Sequence, residues 1–440
     1  MKVQVGRAIL MAALAGWGAV AQGTPRDGAP APPSQRNASG LIRPAAVPPD
    51  YVITPFGYFH PSCVRLVNEG ETVLQDERIR HADGSVDPIA PVCNYPRFAP
   101  DGSLVSPETT RPPTSPPPGW VEYISATTRT SFGKLTATWT TPPQPATSDI
   151  QMLYFFPGFA DTISGGYCIL QPVLQYGTSP LGGGNYWSIA SWNVCGDNIV
   201  DHSMLITVSA GDTLLGSITS NCKPGGNSCA TWNVTAEDEN TGAKATMDKT
   251  TNDKEVWNWA FASVLETYNV FECTEYPANN GVSFDVNVYD QNLQVIANPG
   301  WTKAPVAGVT PYCDFGLGST GTINTVTYNP NAPTSINVTG QWYDTYQMTW
   351  TLSQAQKSYM ITGSVSIGPE FSCQDSTWPV SGQVTSGTNQ FTITATNPVN
   401  GSDGCYLWYT YTLQRTSTID ASGTWVTSAG TSGTVSLTLQ

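Results

Sequence analysis

The chain has 440 residues, enough for two or three domains, with 12% charged residues and a net charge of -14. Ordinary domains carry ~25% charged residues, and without a basic patch to neutralise phosphates this acidic chain is expected to bind neither nucleic acid nor an anionic membrane. Few groups gain charge as the pH falls, which suits an acidic exterior, because acid denaturation works largely by protonating carboxylates that a fold needs ionised.

The chain opens with the pattern of a secretory signal. Lys2 and Arg7 give the charged region, Ala8 to Gly18 the apolar one and Ala19-Val-Ala21 the small-residue cleavage site, so mature protein is expected from Gln22. No later stretch is long and apolar enough to span a bilayer as a helix. An exported, soluble monomer is expected. All ten cysteines follow the signal, an even number in an oxidising compartment, which favours disulfides over metal. Cys63 with Cys93, Cys222 with Cys229, and Cys373 with Cys405 are natural local pairs. Cys168, Cys195, Cys273 and Cys313 are left to pair among themselves in an order that spacing does not fix.

Residues 22–50, rich in Ala, Pro, Gly and Ser, read as a disordered leader. Residues 51–107 form a small disulfide-closed segment, either a propeptide that covers a site or an accessory module. A proline-rich linker follows over 108–118. From Gly119 to residue 300, strand signals recur about every ten residues between Gly, Pro and Asn clusters, with no useful helical period. Ala210-Gly-Asp212 and Asn240-Thr-Gly242 supply the turn residues of hairpins. Such a run of short strands specifies an all-β antiparallel sandwich. Residues 301–320 break the pattern as a second linker, and residues 321–440 give a smaller β-sandwich or barrel. In that unit Trp342, Trp350 and Trp408 are candidates for glycan contact or, more simply, for core packing.

Two strands carry the candidate chemistry. In Tyr167-Cys-Ile-Leu-Gln-Pro-Val-Leu-Gln-Tyr-Gly177, alternation sends Gln171 and Gln175 to one face. In Trp259-Ala-Phe-Ala-Ser-Val-Leu-Glu-Thr-Tyr268, Glu266 interrupts an apolar run and is costly to bury without a partner or a task. Other mechanisms lack their residues: His60, His81 and His202 are the only histidines, and there is no Gly-x-Ser-x-Gly elbow, zinc helix or phosphate-binding glycine loop. No metal or cofactor is expected. An ionised Glu266 can take a proton from water attacking a peptide carbonyl and return it to the leaving amine, while Gln171 donates its amide to the oxyanion. Tyr186, Trp187 and Trp192 are placed to bind substrate and wall the cleft.

The ordered set Ile169-Leu-Gln171, Tyr186-Trp-Ser-Ile-Ala-Ser-Trp192, Leu205 to Asp212, Trp232 to Gly242 and Val264-Leu-Glu266 resembles the eqolisin family of glutamic peptidases over residues 120–290. The resemblance implies a lectin-like, jelly-roll-like sandwich acting on protein or peptide in acid. It also implies two glutamates four apart on the second strand, where this chain has Ala262 and Glu266. Two rival readings stand beside it. One is a secreted protein that binds or cleaves carbohydrate, with Glu275 or Asp161 as a second carboxylate to Glu266 and glycan contact through the C-terminal domain. The other is a non-catalytic binding module.

Overall fold

The computed structural model describes residues 44, 46–100, 102–105, 119–148, 150–162, 168–194, 199–220, 230–250, 256–270, 272–306, 309, 311–332, 336–354, 360–367, 377–385, 389–399, 405–417 and 419–439. The signal sequence, the 108–118 linker and the Cys222 to Cys229 pair lie outside them. So do Cys195 and Cys373.

Seven short strands precede Trp120: β1 (Val52–Thr54), β2 (Gly57–Phe59), β3 (Val64–Leu66), β4 (Thr72–Val73), β5 (Ile79–Arg80), β6 (Arg97–Phe98) and β7 (Leu104–Val105). Next come β8 (Trp120–Thr127), β9 (Lys134–Thr140), β10 (Met152–Asp161), β11 (Cys168–Ser179), β12 (Gly182–Val194), β13 (Val200–His202), β14 (Ile206–Thr207) and β15 (Thr213–Ser220). The series continues with β16 (Thr231–Asp238), β17 (Ala243–Thr250), β18 (Trp259–Tyr268), β19 (Gly281–Tyr289), β20 (Thr302–Pro305), β21 (Gly316–Thr320) and β22 (Ile323–Thr327). The last eight are β23 (Gly340–Asp344), β24 (Thr349–Gln354), β25 (Met360–Ser366), β26 (Thr377–Val384), β27 (Gln390–Thr396), β28 (Trp408–Arg415), β29 (Asp420–Thr427) and β30 (Ser432–Leu439). Among the described residues there is no α-helix, only two 3-10 turns, Pro61–Cys63 and Cys273–Glu275. The fold is all-β.

Two nine-stranded sheets form the sandwich, one ordered β20-β8-β18-β10-β11-β12-β13-β3 with β14 beside β12, the other β21-β22-β19-β9-β15-β16-β17-β4-β5. Between them lies a core of Leu153, Phe155, Leu170, Leu174 and Trp187 from the first sheet against Leu135, Trp139, Leu214, Trp232 and Phe284 from the second. Alternation produces it, since each strand sends every second side chain inward. The sheets approach closely where Pro172 crosses β15. A methyl group on Gly216 would stand 2.7 Å from Pro172 Cγ, so glycine is required there.

Three expectations are corrected. Residues 51–107 do not stand apart from the sandwich: β3 adds to the edge strand β13 and β4 to β17, both parallel, so the sandwich is antiparallel except at these two edges. Parallel neighbours need a long connection, and more than a hundred residues separate each pair. The 301–320 stretch is not a linker either, because β20 pairs with β8 and β21 with β22. Its Pro305 sits on an edge strand, where a missing backbone donor is tolerated. Finally, the leader ends before Val47, which is buried in an apolar cluster with Tyr51, Ile53 and Tyr58.

Strands β23 to β30 close into a barrel in sequence order, β23 pairing with β30. Eight strands leave an interior about wide enough for side chains. Trp342, Trp350 and Trp378 are buried in it with Phe391, Ile393 and Tyr411, whereas Trp408 is 36% exposed. The Cys63–Cys93 disulfide is formed, and Cys273 pairs with Cys313. Cys168 and Cys405 are also disulfide-bonded.

Candidate active site

The first sheet has a second buried face, turned away from the sandwich core. On β11, Ile169 and Val173 lie on it while Leu170 and Leu174 point inward, which places Gln171 and Gln175 on the outer face, as alternation requires. On β18 the pattern changes phase. Pairing with β8 shifts register between Phe261 and Ser263, and β10 shifts between Phe156 and Gly158. Such bulges leave Ala262 and Leu265 in the inter-sheet core but carry Phe261, Val264 and Tyr268 outward, and Glu266 with them. The position that the resemblance gives to a first glutamate is thus an apolar, inward-facing alanine.

Gln171 and Glu266 are not on neighbouring strands, since β10 runs between β11 and β18. Glu266 stands opposite Tyr154, itself opposite Gln175, and Gln171 lies four residues further along β11, opposite Trp192. Their side chains converge on the turn between β1 and β2. Gln171 Nε2 donates to the Pro55 carbonyl at 3.2 Å, and the backbone N–H of Phe56, which donates to the Thr54 carbonyl, lies near enough to the Glu266 carboxyl to lower its pKa. One peptide group therefore lies across both side chains. Around it, the Tyr58 ring meets Tyr268 edge-on at 5.8 Å, and the Arg97 guanidinium sits 4.8 Å above Phe56.

Glu266 is fully buried, and burial pushes its pKa up to about 8 against weaker opposing contributions from Tyr268, Trp120 and Phe56. Tyr268 donates its hydroxyl to Oε1 at 2.6 Å. In this covered state the carboxyl is neutral across the acid range. Glu266 Oε2, Gln171 Oε1, the Tyr154 hydroxyl and the Trp192 indole N–H, all buried, have no hydrogen-bond partner among the described residues. Leaving such groups unsatisfied costs ~1–3 kcal/mol each, so each calls for a partner such as water or a ligand.

The other expected residues are scattered. Trp192 shares the outer face with Gln171, its ring 5.3 Å from His202. Trp187 does not wall this face; it packs into the inter-sheet core against Tyr176 and Phe155. Tyr186 is exposed near the start of β12. Burial lowers the pKa of His202, and its Nδ1 lies 2.9 Å from the Ser203 carbonyl. The carboxylates proposed for glycoside cleavage are engaged elsewhere. Asp161 accepts from the Val256 N–H, and Glu275 from the Glu272 N–H in a 3-10 turn. Sequence reading overlooked Tyr154 and also Tyr268, although a tyrosine two residues beyond a glutamate on one strand shares its face.

The N-terminal segment is bolted to the sandwich by charge. Arg65 donates from Nε and Nη2 to Asp201 Oδ1 at 2.9 and 2.6 Å, and Lys249 Nζ meets Glu77 Oε1 at 2.7 Å. Asp201 and Lys249 are both buried. Removing either partner would leave a buried charge uncompensated, at a cost of ~3–5 kcal/mol.

No family model and no curated protein sequence matches the chain. Among solved structures it is similar to scytalido-glutamic peptidase with a transition state analog inhibitor, at 17% identity and a TM-score of 0.34 over 48% of this chain and 98% of that one. Similar values, 17% and 0.33 over the same shares, relate it to SCP-B, a member of the eqolisin family of peptidases, in a complex with the tripeptide Ala-Ile-His. Aspergilloglutamic peptidase from Aspergillus niger matches at 17% and 0.28, over 41% of this chain and 99% of that one. Likenesses this slight fix neither fold nor site.

Proposed function

We propose that the chain is a glutamic-type endopeptidase that hydrolyses peptide bonds at Gln171 and Glu266. The observation that carries this reading is the peptide group between Pro55 and Phe56, whose carbonyl accepts from the Gln171 amide while its N–H, donated to the Thr54 carbonyl, lies near enough to Glu266 to lower that carboxyl's pKa. A substrate bond seated likewise would present its reacting atoms to the two groups that hydrolysis needs. Glu266, once ionised, removes a proton from a water as its oxygen bonds to the carbonyl carbon. Gln171 donates to the oxyanion that forms. The proton then passes from Glu266 to the amide nitrogen, the C–N bond breaks, and an acid and an amine depart. Tyr268 holds the Glu266 carboxyl in place. The rival carbohydrate-cleaving reading loses support because Asp161 and Glu275 are engaged away from Glu266. The disulfides fit work outside the cell.

The test must expose the site. Gly57 has φ +122, and a Cβ there would stand 2.4 Å from the Phe98 carbonyl oxygen, so Gly57→Val loosens the β1–β2 hairpin. Hydrolysis of an unstructured peptide from pH 3 to 8 is followed by mass spectrometry for this variant and for the same chain carrying Glu266→Gln. Equal turnover by the two would end the reading.

A further inference from the structure

We infer that the β1–β2 hairpin is a built-in inhibitor, its tip holding the Pro55–Phe56 peptide bond against Gln171 and Glu266 as an uncleaved stand-in for substrate. The inference rests on the peptidase reading and adds the regulation of that site.

Three features make the tip an occupant rather than a passing neighbour. Its carbonyl accepts from Gln171, and its N–H, donated to the Thr54 carbonyl, lies near enough to act on the Glu266 carboxyl. Tyr51, Ile53, Tyr58 and Phe59 join one apolar cluster with Trp120, Tyr154, Trp192 and Tyr268 of the sheet, so the covering contact is as dry as a core. Beside Glu266, a methyl group on Gly119 would stand 2.6 Å from Pro100 Cγ and 3.4 Å from Glu266 Oε1, so Pro100, just beyond β6, packs near the carboxyl with only glycine backbone between them. Glu266 and Gln171 have no exposed surface at all.

Other features keep the bond whole. Thr54 pairs with Gly57, so Pro55 and Phe56 form a two-residue turn, braced by Thr54 Oγ1 to the Gly57 carbonyl at 3.1 Å and by the Phe56 N–H to the Thr54 carbonyl at 2.8 Å. A bond folded into a turn is held away from the extended geometry in which a strand-like substrate lies along a sheet. The fully buried carboxyl is out of contact with bulk solvent. Burial also leaves Glu266 neutral below about pH 8, so the covered base is switched off chemically as well as blocked.

The tip is also the weak point of the segment. Phe56 has φ 147, a conformation that side chains rarely adopt, whereas the body is tied by strand pairing, by Cys63–Cys93 and by the buried ion pairs at Asp201 and Lys249. Release of the tip uncovers the site with the body of the segment still attached.

The experiment compares the full chain with Gly57→Val and with Tyr58→Ala, which deletes the anchor against Tyr268; near-UV circular dichroism confirms that each is folded. An unstructured peptide containing a Pro-Phe bond is the probe. Binding is measured by calorimetry in a Glu266→Gln background, and turnover with Glu266 intact. The expected result is at least a tenfold gain in affinity and in kcat/KM for either folded variant over the full chain. A full chain that binds and cleaves the probe as well as both variants overturns the inference, and so does activity that appears only once mass spectrometry finds the Pro55–Phe56 bond cut. Variants that gain binding but never turn over leave the plug standing and remove the peptidase reading instead.

Discussion

Two buried carboxyl groups, Glu266 on the covered face of the sandwich and Asp344 in the barrel, have similar surroundings and opposite situations. Each sits among tryptophan and tyrosine, and burial raises the pKa of each. Asp344 is saturated. Its Oδ1 accepts from the Tyr346 and Met348 backbone N–H groups at 2.9 Å, and its Oδ2 from Trp350 Nε1 at 3.0 Å and the Tyr411 hydroxyl at 2.8 Å. It closes the turn after β23 and has no capacity left for chemistry. Glu266 has one close hydroxyl donor on Oε1 and an orphaned Oε2, beside orphaned atoms of Gln171 and Tyr154. A carboxyl that organises a fold is finished by its neighbours; one that meets a ligand is left unfinished.

The sharpest way to break that comparison is to neutralise each group. In the Gly57→Val chain, Glu266→Gln should lower turnover of the unstructured peptide by roughly a thousandfold, because the amide cannot carry the proton. Its unfolding midpoint should hold or rise. Asp344→Asn should do the reverse, leaving turnover intact while costing roughly 2–3 kcal/mol in barrel stability, since an amide nitrogen would face donors. Denaturant unfolding and peptide assays on both variants check this, and a large turnover loss in Asp344→Asn would erase the distinction.

The next effect is on stability against pH, and it should separate sandwich from barrel. Glu266 is raised to about 8 and Glu122, buried on β8, to about 9, in both cases by desolvation. Each acid holds its proton more tightly in the folded chain than at its ordinary value of 4.5, so its contribution is full below that value and is lost as pH rises through the folded pKa. The sandwich should therefore lose on the order of a few kcal/mol between pH 5 and 9. Calorimetric scans across that range should show its midpoint falling, and Glu266→Gln should flatten part of the slope.

The sequence made one half of the comparison readable and hid the other. Alternation in β11 put Gln171 on a face, and the apolar run ending at Tyr268 marked β18 with Glu266 in it. The bulges opposite Ala262 leave no trace in composition, so residue counting could not say that Ala262 turns inward and Glu266 outward. The cover was equally illegible. Strands of two or three residues, such as β1, β3 and β4, are too short to show a period, and the contact of Gln171 with Pro55 spans 116 positions. In the barrel, an Asp ahead of a turn announces its own capping role, and Asp344 obeys the local rule.

Gln171→Ala gives a smaller effect. Deleting the oxyanion donor in the Gly57→Val chain should lower kcat by roughly a hundredfold with little change in KM, the pattern of an interaction made mainly in the transition state. Steady-state kinetics decide it, and a change confined to KM would recast Gln171 as a ground-state contact.

The smallest effect concerns the hydroxyl that donates to Glu266. Tyr268 favours the carboxylate form through its 2.6 Å hydrogen bond, so it holds the Glu266 pKa below where burial alone would put it. In the Gly57→Val chain, Tyr268→Phe removes that help without removing the ring that packs against Tyr58. The pKa must then rise, and because Glu266 acts as the ionised base, the acidic limb of the pH–rate profile should move to higher pH by about one unit. The result is roughly a tenfold loss at a pH on that limb and much less on the plateau. Tyr411→Phe in the barrel should leave the profile unmoved and cost about 1 kcal/mol in stability, because three other donors still hold Asp344. A uniform drop across all pH values in Tyr268→Phe, with no shift of the limb, would mean that the hydroxyl merely packs beside Glu266 and does not tune it.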